Sequence, residues 1–340
     1  MPSFARHADG FSPPARTEDE HSNYAFGRRY CKPIRTASVF LMDLPASGHE
    51  PVLLDEILHL LAPAPGKTLV DCTLGRGGHA WHLAQRLGPH GLLIGLDVDP
   101  ANLAFARERL ADAPCRVETV QRNFTELPMV LRKLGIDAVD GILADLGIST
   151  NQLFDDEYGL SFQSDMPLDM RIDPRLGESA ADVVNHWPEA KIADVLYELA
   201  QERYSRRIAR KIVAVRALSP IRHTAQLAEL VRSVVPRSGA AERIDPATRT
   251  FLALRMAVNR EVPNLRSLLE QAPRCLRPAG RFAVVSFQST EDREVKQQFR
   301  FAEQTGLLRV LTKKPITPSP AELQANPRAR SSKLRVAEKP

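Results

Sequence analysis

The sequence predicts a mostly parallel α/β sheet, covered by helices on both faces and interrupted by a long helical insertion. Three observations carry this. Between residues 68 and 145 short apolar runs alternate with stretches of helical spacing. That is the pattern of βα units whose strands are buried on both faces. A glycine loop, Gly75-Arg-Gly-Gly-His79, joins the first run to its helix. No further strand-like run follows Asp145 until Arg281-Phe-Ala-Val-Val-Ser-Phe287. A helical segment of roughly ninety residues thus stands between the fourth and fifth strands.

Each element has a local reason. Thr68-Leu-Val-Asp-Cys-Thr-Leu74 is an apolar run that ends in the glycine loop, and a helix follows over 80–87. Leu92-Leu-Ile-Gly-Leu-Asp97 is a second buried strand. Pro100 opens a helix to about Ala111, because proline lacks an N–H that the first turn does not need. Residues 116–121 read as a third strand, 125–134 as a helix and 139–145 as a fourth strand. Residues 152–173 hold turn formers and acids without a period, and 180–235 are helical. Runs at 307–311 and 333–336 close the sheet edge.

Composition narrows the classes. With 43% hydrophobic and 26% charged residues in 340, the chain carries ample core and is not disordered as a whole. No apolar run reaches the roughly 18 residues of a membrane span. Cys31, Cys72, Cys115 and Cys275 are widely spaced, with no C-x-x-C pair. This reads as buried thiols in a reducing, cytoplasmic setting, without a zinc site. His79 and His82 lie three apart but have no second ligand pair. Residues 1–41 are polar, rich in Arg and Pro, and aperiodic. They read as a disordered extension, or as a start misplaced upstream of Met42.

The glycine loop carries the first chemical signal. Glycine is needed where backbone turns tightly and lets a ligand approach, and the helix beyond offers free N–H groups to an anion. Asp97 ends the second strand, where a carboxylate can accept from two ribose hydroxyls. Asn123-Phe124 closes the third strand where an adenine would lie, and Asp145 closes the fourth. This pattern suits a dinucleotide or S-adenosylmethionine. The loop lacks the third dinucleotide glycine, since position 80 is Ala, which favours the methyl donor.

Several longer blocks then stand in order: His49-Glu-Pro-Val-Leu-Leu-Asp-Glu56, Thr73-Leu-Gly-Arg-Gly-Gly-His79, Asp145-Leu-Gly-Ile-Ser149 with Gln152-Leu153, and Pro167-Leu-Asp-Met-Arg171. Ser179-Ala-Ala-Asp-Val-Val-Asn185, Arg206-Arg-Ile-Ala-Arg210, Pro246-Ala-Thr-Arg-Thr-Phe251, Glu291-Asp-Arg293 and Asn326-Pro-Arg-Ala-Arg-Ser-Ser332 follow. Through these blocks the chain resembles the RsmH or MraW family, the bacterial small-subunit ribosomal RNA cytosine N4-methyltransferases. The resemblance runs from His49 to the C-terminus. It implies a class I S-adenosylmethionine-dependent methyltransferase fold, Rossmann-like, with a mostly parallel seven-stranded sheet and an inserted helical domain. It implies S-adenosylmethionine as donor and a cytosine of the 16S decoding region, in the small subunit or its precursor, as acceptor. The family's cofactor contacts fall on Gly77, Gly78, His79, Asp97, Phe124, Asp145 and Gln152. Residues 42–153 and 247–340 would form the donor-binding domain, and 154–246 the inserted RNA-recognition domain.

The chain departs from the family pattern at four places. Gln288 replaces a His, Met166 a Gly, Asp245 a His, and Thr150-Asn151 a Ser-Pro. Gln288 and Met166 leave room for a catalytically silent or retargeted RNA-binding relative.

Methylating an exocyclic amine needs no covalent nucleophile, unlike methylating ring carbon, and none of the four cysteines lies where one would be wanted. Positioning and hydrogen bonding do the catalysis. Asp145 is the candidate catalytic residue, beside the amine or on the cofactor; the residues leave both roles open. Asp169, Arg171 and Asn259 are read as organisers of the pocket. The target base must be unpaired or flipped. Arg203, Arg206, Arg207, Arg210, Lys211, Arg216 and Arg222 would form an RNA clamp, with 203, 207, 210 and 211 on one helical face. The net charge of +5 is localised. Residues 309–340 hold eight Lys or Arg against Glu322 and Glu338, so the rest of the chain nets one negative charge. The sequence gives no oligomeric state.

Overall fold

The computed structural model describes residues 51–155, 157–236 and 245–340. The expectations for 1–41, and Cys31, lie outside the described residues. Everything below concerns these described residues.

Among the described residues, seven strands form one sheet. They are β1 (Thr68–Asp71), β2 (Leu92–Asp97), β3 (Arg116–Gln121), β4 (Val139–Asp145), β5 (Leu276–Ser286), β6 (Arg309–Val310) and β7 (Lys333–Glu338). Their order is β3-β2-β1-β4-β5-β7-β6, with β7 antiparallel to both of its neighbours. The order reverses between β1 and β4, which leaves a crevice at their carboxyl ends where open α/β sheets bind ligands.

Among the described residues, thirteen α-helices surround or extend the sheet: α1 (Leu54–Leu61), α2 (Gly78–Leu87), α3 (Pro100–Arg109), α4 (Leu127–Lys133), α5 (Thr150–Phe154), α6 (Ala180–His186), α7 (Glu189–Ala200), α8 (Ser205–Arg216), α9 (Thr224–Val234), α10 (Thr248–Val258), α11 (Glu261–Cys275), α12 (Ser289–Gln304) and α13 (Pro320–Ala325). Alternation within each strand decides the two faces. Val70, Ile94, Ile142 and Val284 pack on α4, α11 and α12. Leu69, Leu93, Leu143 and Val285 pack on α1, α2 and α3. A third cluster, with no sheet residue in it, joins Leu160 and Leu168 to α6 through α10. It runs on to Val258, and α10 packs on α6 and α7.

Strand boundaries differ from expectation in instructive ways. The first strand stops at Asp71, because Thr73 and Leu74 turn away into the glycine loop. The fifth strand starts earlier than expected, at Leu276. Val139 lies opposite Leu276 and Gly141 opposite Arg281, so residues 277–280 form a bulge inside the strand, with Ala279 at φ 61°. Arg277 on the bulge pairs with Asp140 at 2.9 Å. The helix expected at 125–134 begins as a 3-10 turn, Phe124–Glu126, which Asn123 caps.

Candidate active site

The carboxyl edge of β1, β2 and β4 gathers most of the residues singled out above. Gly75 and Gly77 take φ values of 51° and 78°, a left-handed backbone that side chains with a Cβ rarely adopt. Gly77 N-caps α2 without a side-chain partner, and the first turn of α2 carries no acid. Its N–H groups and the positive end of its dipole are therefore available to an anionic group. Asp97 Oδ2 accepts from the Gly75 N–H at 2.7 Å, and Oδ1 accepts from the Asp99 N–H at 2.9 Å. Burial pushes the Asp97 carboxyl up to about 6. Phe124 lies three residues past the end of β3 and packs partly against the sheet core.

His79 and Asp145 meet in the crevice. The Val52 carbonyl accepts from His79 Nε2 at 2.9 Å, so Nε2 carries the proton. Burial holds the His79 pKa below its ordinary value, which leaves Nδ1 as a bare lone pair. That lone pair lies 3.6 Å from Asp145 Oδ2, too far for a hydrogen bond. Burial likewise pushes the Asp145 carboxyl up to about 7. The pair is therefore a carboxyl near its protonation midpoint beside a neutral imidazole, and not a fixed ion pair. Asp71, at the end of β1, is a third buried acid beside His79, and burial raises it to about 6.

Gln152 is buried and donates to Asp99 Oδ2 at 2.7 Å. The proposed pocket organisers form a scaffold. Asp169 holds Arg171 through two bonds, at 2.7 and 2.8 Å. Asn259 accepts from the Ile172 N–H and donates to the Met170 carbonyl. That bond steadies Met170 at φ 64°.

Several residues of this site went unnoticed in the sequence. Asp99 is one, although an Asp directly before Pro100 is an N-cap signal. Tyr158, which also donates to Asp99, gave no signal at all. Glu291, which the sequence offered only as the first residue of the Glu291-Asp-Arg293 block, is a buried carboxyl raised to about 7 by burial, and it accepts from the Phe287 and Gln288 N–H groups at the start of α12.

The departures at positions 288, 245, 166 and 151 all fit. Gln288 is the N-cap of α12. Asp245 binds Arg232 and the Ala247 N–H. Met166 is buried, and its backbone pairs with Thr224. Asn151 donates to Asn102 on α3, a bond that proline could not make.

Basic charge is distributed differently from expectation. Arg203 lies before α8, and Arg206, Arg207, Arg210 and Lys211 are the exposed basic residues of its first two turns, with Arg210 3.8 Å from Glu189. Arg216 donates to the Val184 carbonyl. In the C-terminal segment, Arg309 pairs with Glu338, Lys333 and Arg335 pair with Asp292, and Lys339 donates to the Leu276 carbonyl. Much of the local surplus there fastens β7 and is not offered to a polyanion.

Five buried side-chain polar atoms find no hydrogen-bond partner among the described residues. Four belong to the glycine loop, the end of β4 and the start of the segment that follows it: Arg76 Nε, Asp145 Oδ1, Ser149 Oγ and Asn151 Oδ1. Each such atom costs about 1–3 kcal/mol if it stays unpaired. Their grouping therefore marks the place of a polar ligand. Donors and acceptors both occur, as a zwitterionic amino-acid moiety requires. A turn-forming glycine loop, a ribose-height carboxylate and these orphans fit S-adenosylmethionine. No group of His, Cys, Asp or Glu that could hold a metal occurs among the described residues.

Sheet order and site together define a class I methyltransferase that uses S-adenosylmethionine. The model of the MraW methylase family matches residues 46–340. The chain belongs to that family. Ribosomal RNA small subunit methyltransferase H of Geobacter sulfurreducens is 46% identical over 307 residues, covering 86% of this chain and 99% of that protein. The protein of the same name from Trichlorobacter lovleyi is 45% identical over 307 residues, covering 86% and 98%. Among solved structures, an rRNA methylase from Streptococcus thermophilus is 12% identical with a TM-score of 0.36, covering 84% of this chain and 93% of that one.

Proposed function

We propose that this enzyme methylates N4 of a cytosine in the decoding region of 16S rRNA, within the small ribosomal subunit or its precursor in the cytoplasm. The names of the close relatives support the ribosomal substrate. The observation that carries the chemistry is Asp145, a buried carboxyl at the end of β4 with one oxygen unpartnered. No helix among the described residues is long and apolar enough to cross a membrane.

S-adenosylmethionine, when bound, supplies an electrophilic methyl group on a positive sulfur. In our reading, Gly77, Gly78 and His79 line its amino-acid end, Asp97 takes the ribose and Phe124 flanks the adenine. Gln152 acts through Asp99. Asp145 accepts a hydrogen bond from the exocyclic amine and turns the nitrogen lone pair toward the methyl. With the donor bound, its methyl would pass to the nitrogen while the sulfur left as a neutral thioether, and the ionised Asp145 would take the amine proton that this transfer makes acidic. A carboxyl near 7 suits that task, since a general base works best with a pKa close to the working pH. No thiol is needed. Cys72, Cys115 and Cys275 are buried, and burial raises the Cys72 thiol well above its ordinary range.

Residues 154–246, continued by α10, are assigned to RNA recognition in this reading. Support comes from the exposed basic face of α8, where Arg207 also lies 5.6 Å from the Tyr204 ring. The test is incubation of purified protein with small subunits and labelled donor, followed by mapping of the methyl group. One N4-methylcytosine in the decoding region is expected. A methyl elsewhere, or none, would favour a retargeted or silent relative.

A further inference from the structure

The Asp99 carboxylate is 1% exposed, two residues beyond Asp97. Its Oδ1 accepts from the Ala101 N–H at 2.9 Å. Its Oδ2 accepts from Gln152 Nε2 at 2.7 Å and from the Tyr158 hydroxyl at 2.8 Å. These donors are neutral, so this buried charge rests on hydrogen bonds and on the N-terminus of α3. The Asp99 N–H donates in turn to Asp97 Oδ1. Asp97 is thus gripped from one side by Gly75 and from the other by Asp99.

Tyr158 is itself held at both ends. Its hydroxyl is on Asp99, and its carbonyl accepts from the Met170 N–H at 2.8 Å. The next residue, Gly159, has φ 62°, and a Cβ there would stand 2.1 Å from the Pro167 carbonyl oxygen. So tight a turn fixes where the ring emerges.

We infer that Tyr158 is a positioning residue of the donor site: with Gln152 it fixes the Asp99 carboxylate, and Asp99 fixes Asp97 toward the ribose. This rests on the ribose role proposed for Asp97. It gives the segment after β4 a part in donor binding as well as in acceptor binding.

The test is Tyr158→Phe, which keeps the ring and removes one bond to a charged acceptor. The dissociation constant of S-adenosylhomocysteine, read by titration calorimetry, should rise about tenfold. The kcat at saturating donor should stay within about threefold of the parent, because the reacting atoms are untouched. Asp99→Asn, with one acceptor oxygen in place of two, should show the same defect by an independent route. Asn185→Ala serves as control. It breaks bonds to the Ala181 and Ile221 carbonyls inside the helical cluster, and should lower Tm with donor affinity unchanged. Donor affinity within twofold of the parent in both Tyr158→Phe and Asp99→Asn would overturn the proposal. So would an equal loss in Asn185→Ala, which would make the effect one of general order. Normal donor binding by Asp97→Ala would overturn the ribose role and this inference with it, whereas a defect in Asp97→Ala alone sinks only the part given to Tyr158.

Discussion

His79 Nδ1 faces Asp145 Oδ2 across 3.6 Å, and burial drives both groups toward their neutral forms. This arrangement stores a base in the crevice at a cost in stability. A carboxyl whose folded pKa stands above its unfolded value binds more protons when folded. Its contribution is complete below the unfolded value of 3.8 and is lost as pH rises through about 7. Asp71 and Asp97, near 6, and Glu291, near 7, act in the same direction.

Donor-free protein should therefore melt at a lower temperature at pH 8 than at pH 5.5. Asp145→Asn should narrow that gap and stabilise the fold at pH 8 by on the order of 1–3 kcal/mol. The same variant should lose methyl transfer by about a hundredfold or more. Thermal denaturation at the two pH values, with incorporation of labelled methyl, checks both; near-normal turnover would remove Asp145 from the mechanism.

Donor affinity should fall as pH drops below about 6, where Asp97 takes up a proton and can no longer accept from two hydroxyls. Asp97→Ala should weaken donor binding by about a hundredfold at pH 7.5. Calorimetric titrations with S-adenosylhomocysteine between pH 5.5 and 7.5 measure this, and a flat profile in the parent protein would contradict it.

Gly159→Ala should destabilise by about 2 kcal/mol or more, since it adds a Cβ at φ 62° and 2.1 Å from the Pro167 oxygen. The readout is a fall in Tm of several degrees. An unchanged Tm would mean that the 158–170 turn gives way at little cost.

Charge reversal at Arg207 and Arg210 should weaken RNA binding and flatten its salt dependence by about two to four ion equivalents. Arg335→Ala should instead lower Tm and leave the salt slope unchanged, because Arg335 is buried against Asp292 at 2.7 Å. Binding titrations across a salt series distinguish the two surfaces. Equal slopes for the parent and the doubly reversed variant would end the clamp reading.

The sequence alone determined the sheet, because strands buried on both faces are written as continuous apolar runs. Gly75, Gly77, Asp97 and Asp145 were legible for a related reason: a turn that demands glycine, or an acid at the end of an apolar strand, is a local violation of pattern. Tertiary structure alone decided what depends on pairing between distant segments. Tyr158 and Asp99 are 59 residues apart, and nothing local in 152–173 reveals that one of its polar groups reaches α3. The basic C-terminus shows the same limit in reverse. Counting placed a surplus of charge there, but packing of α12 on β7 sets Arg335 and Lys333 against Asp292, and pairing of β6 with β7 sets Arg309 against Glu338. Charge is additive along a chain, whereas its availability to a partner depends on which opposite charges the fold brings within reach.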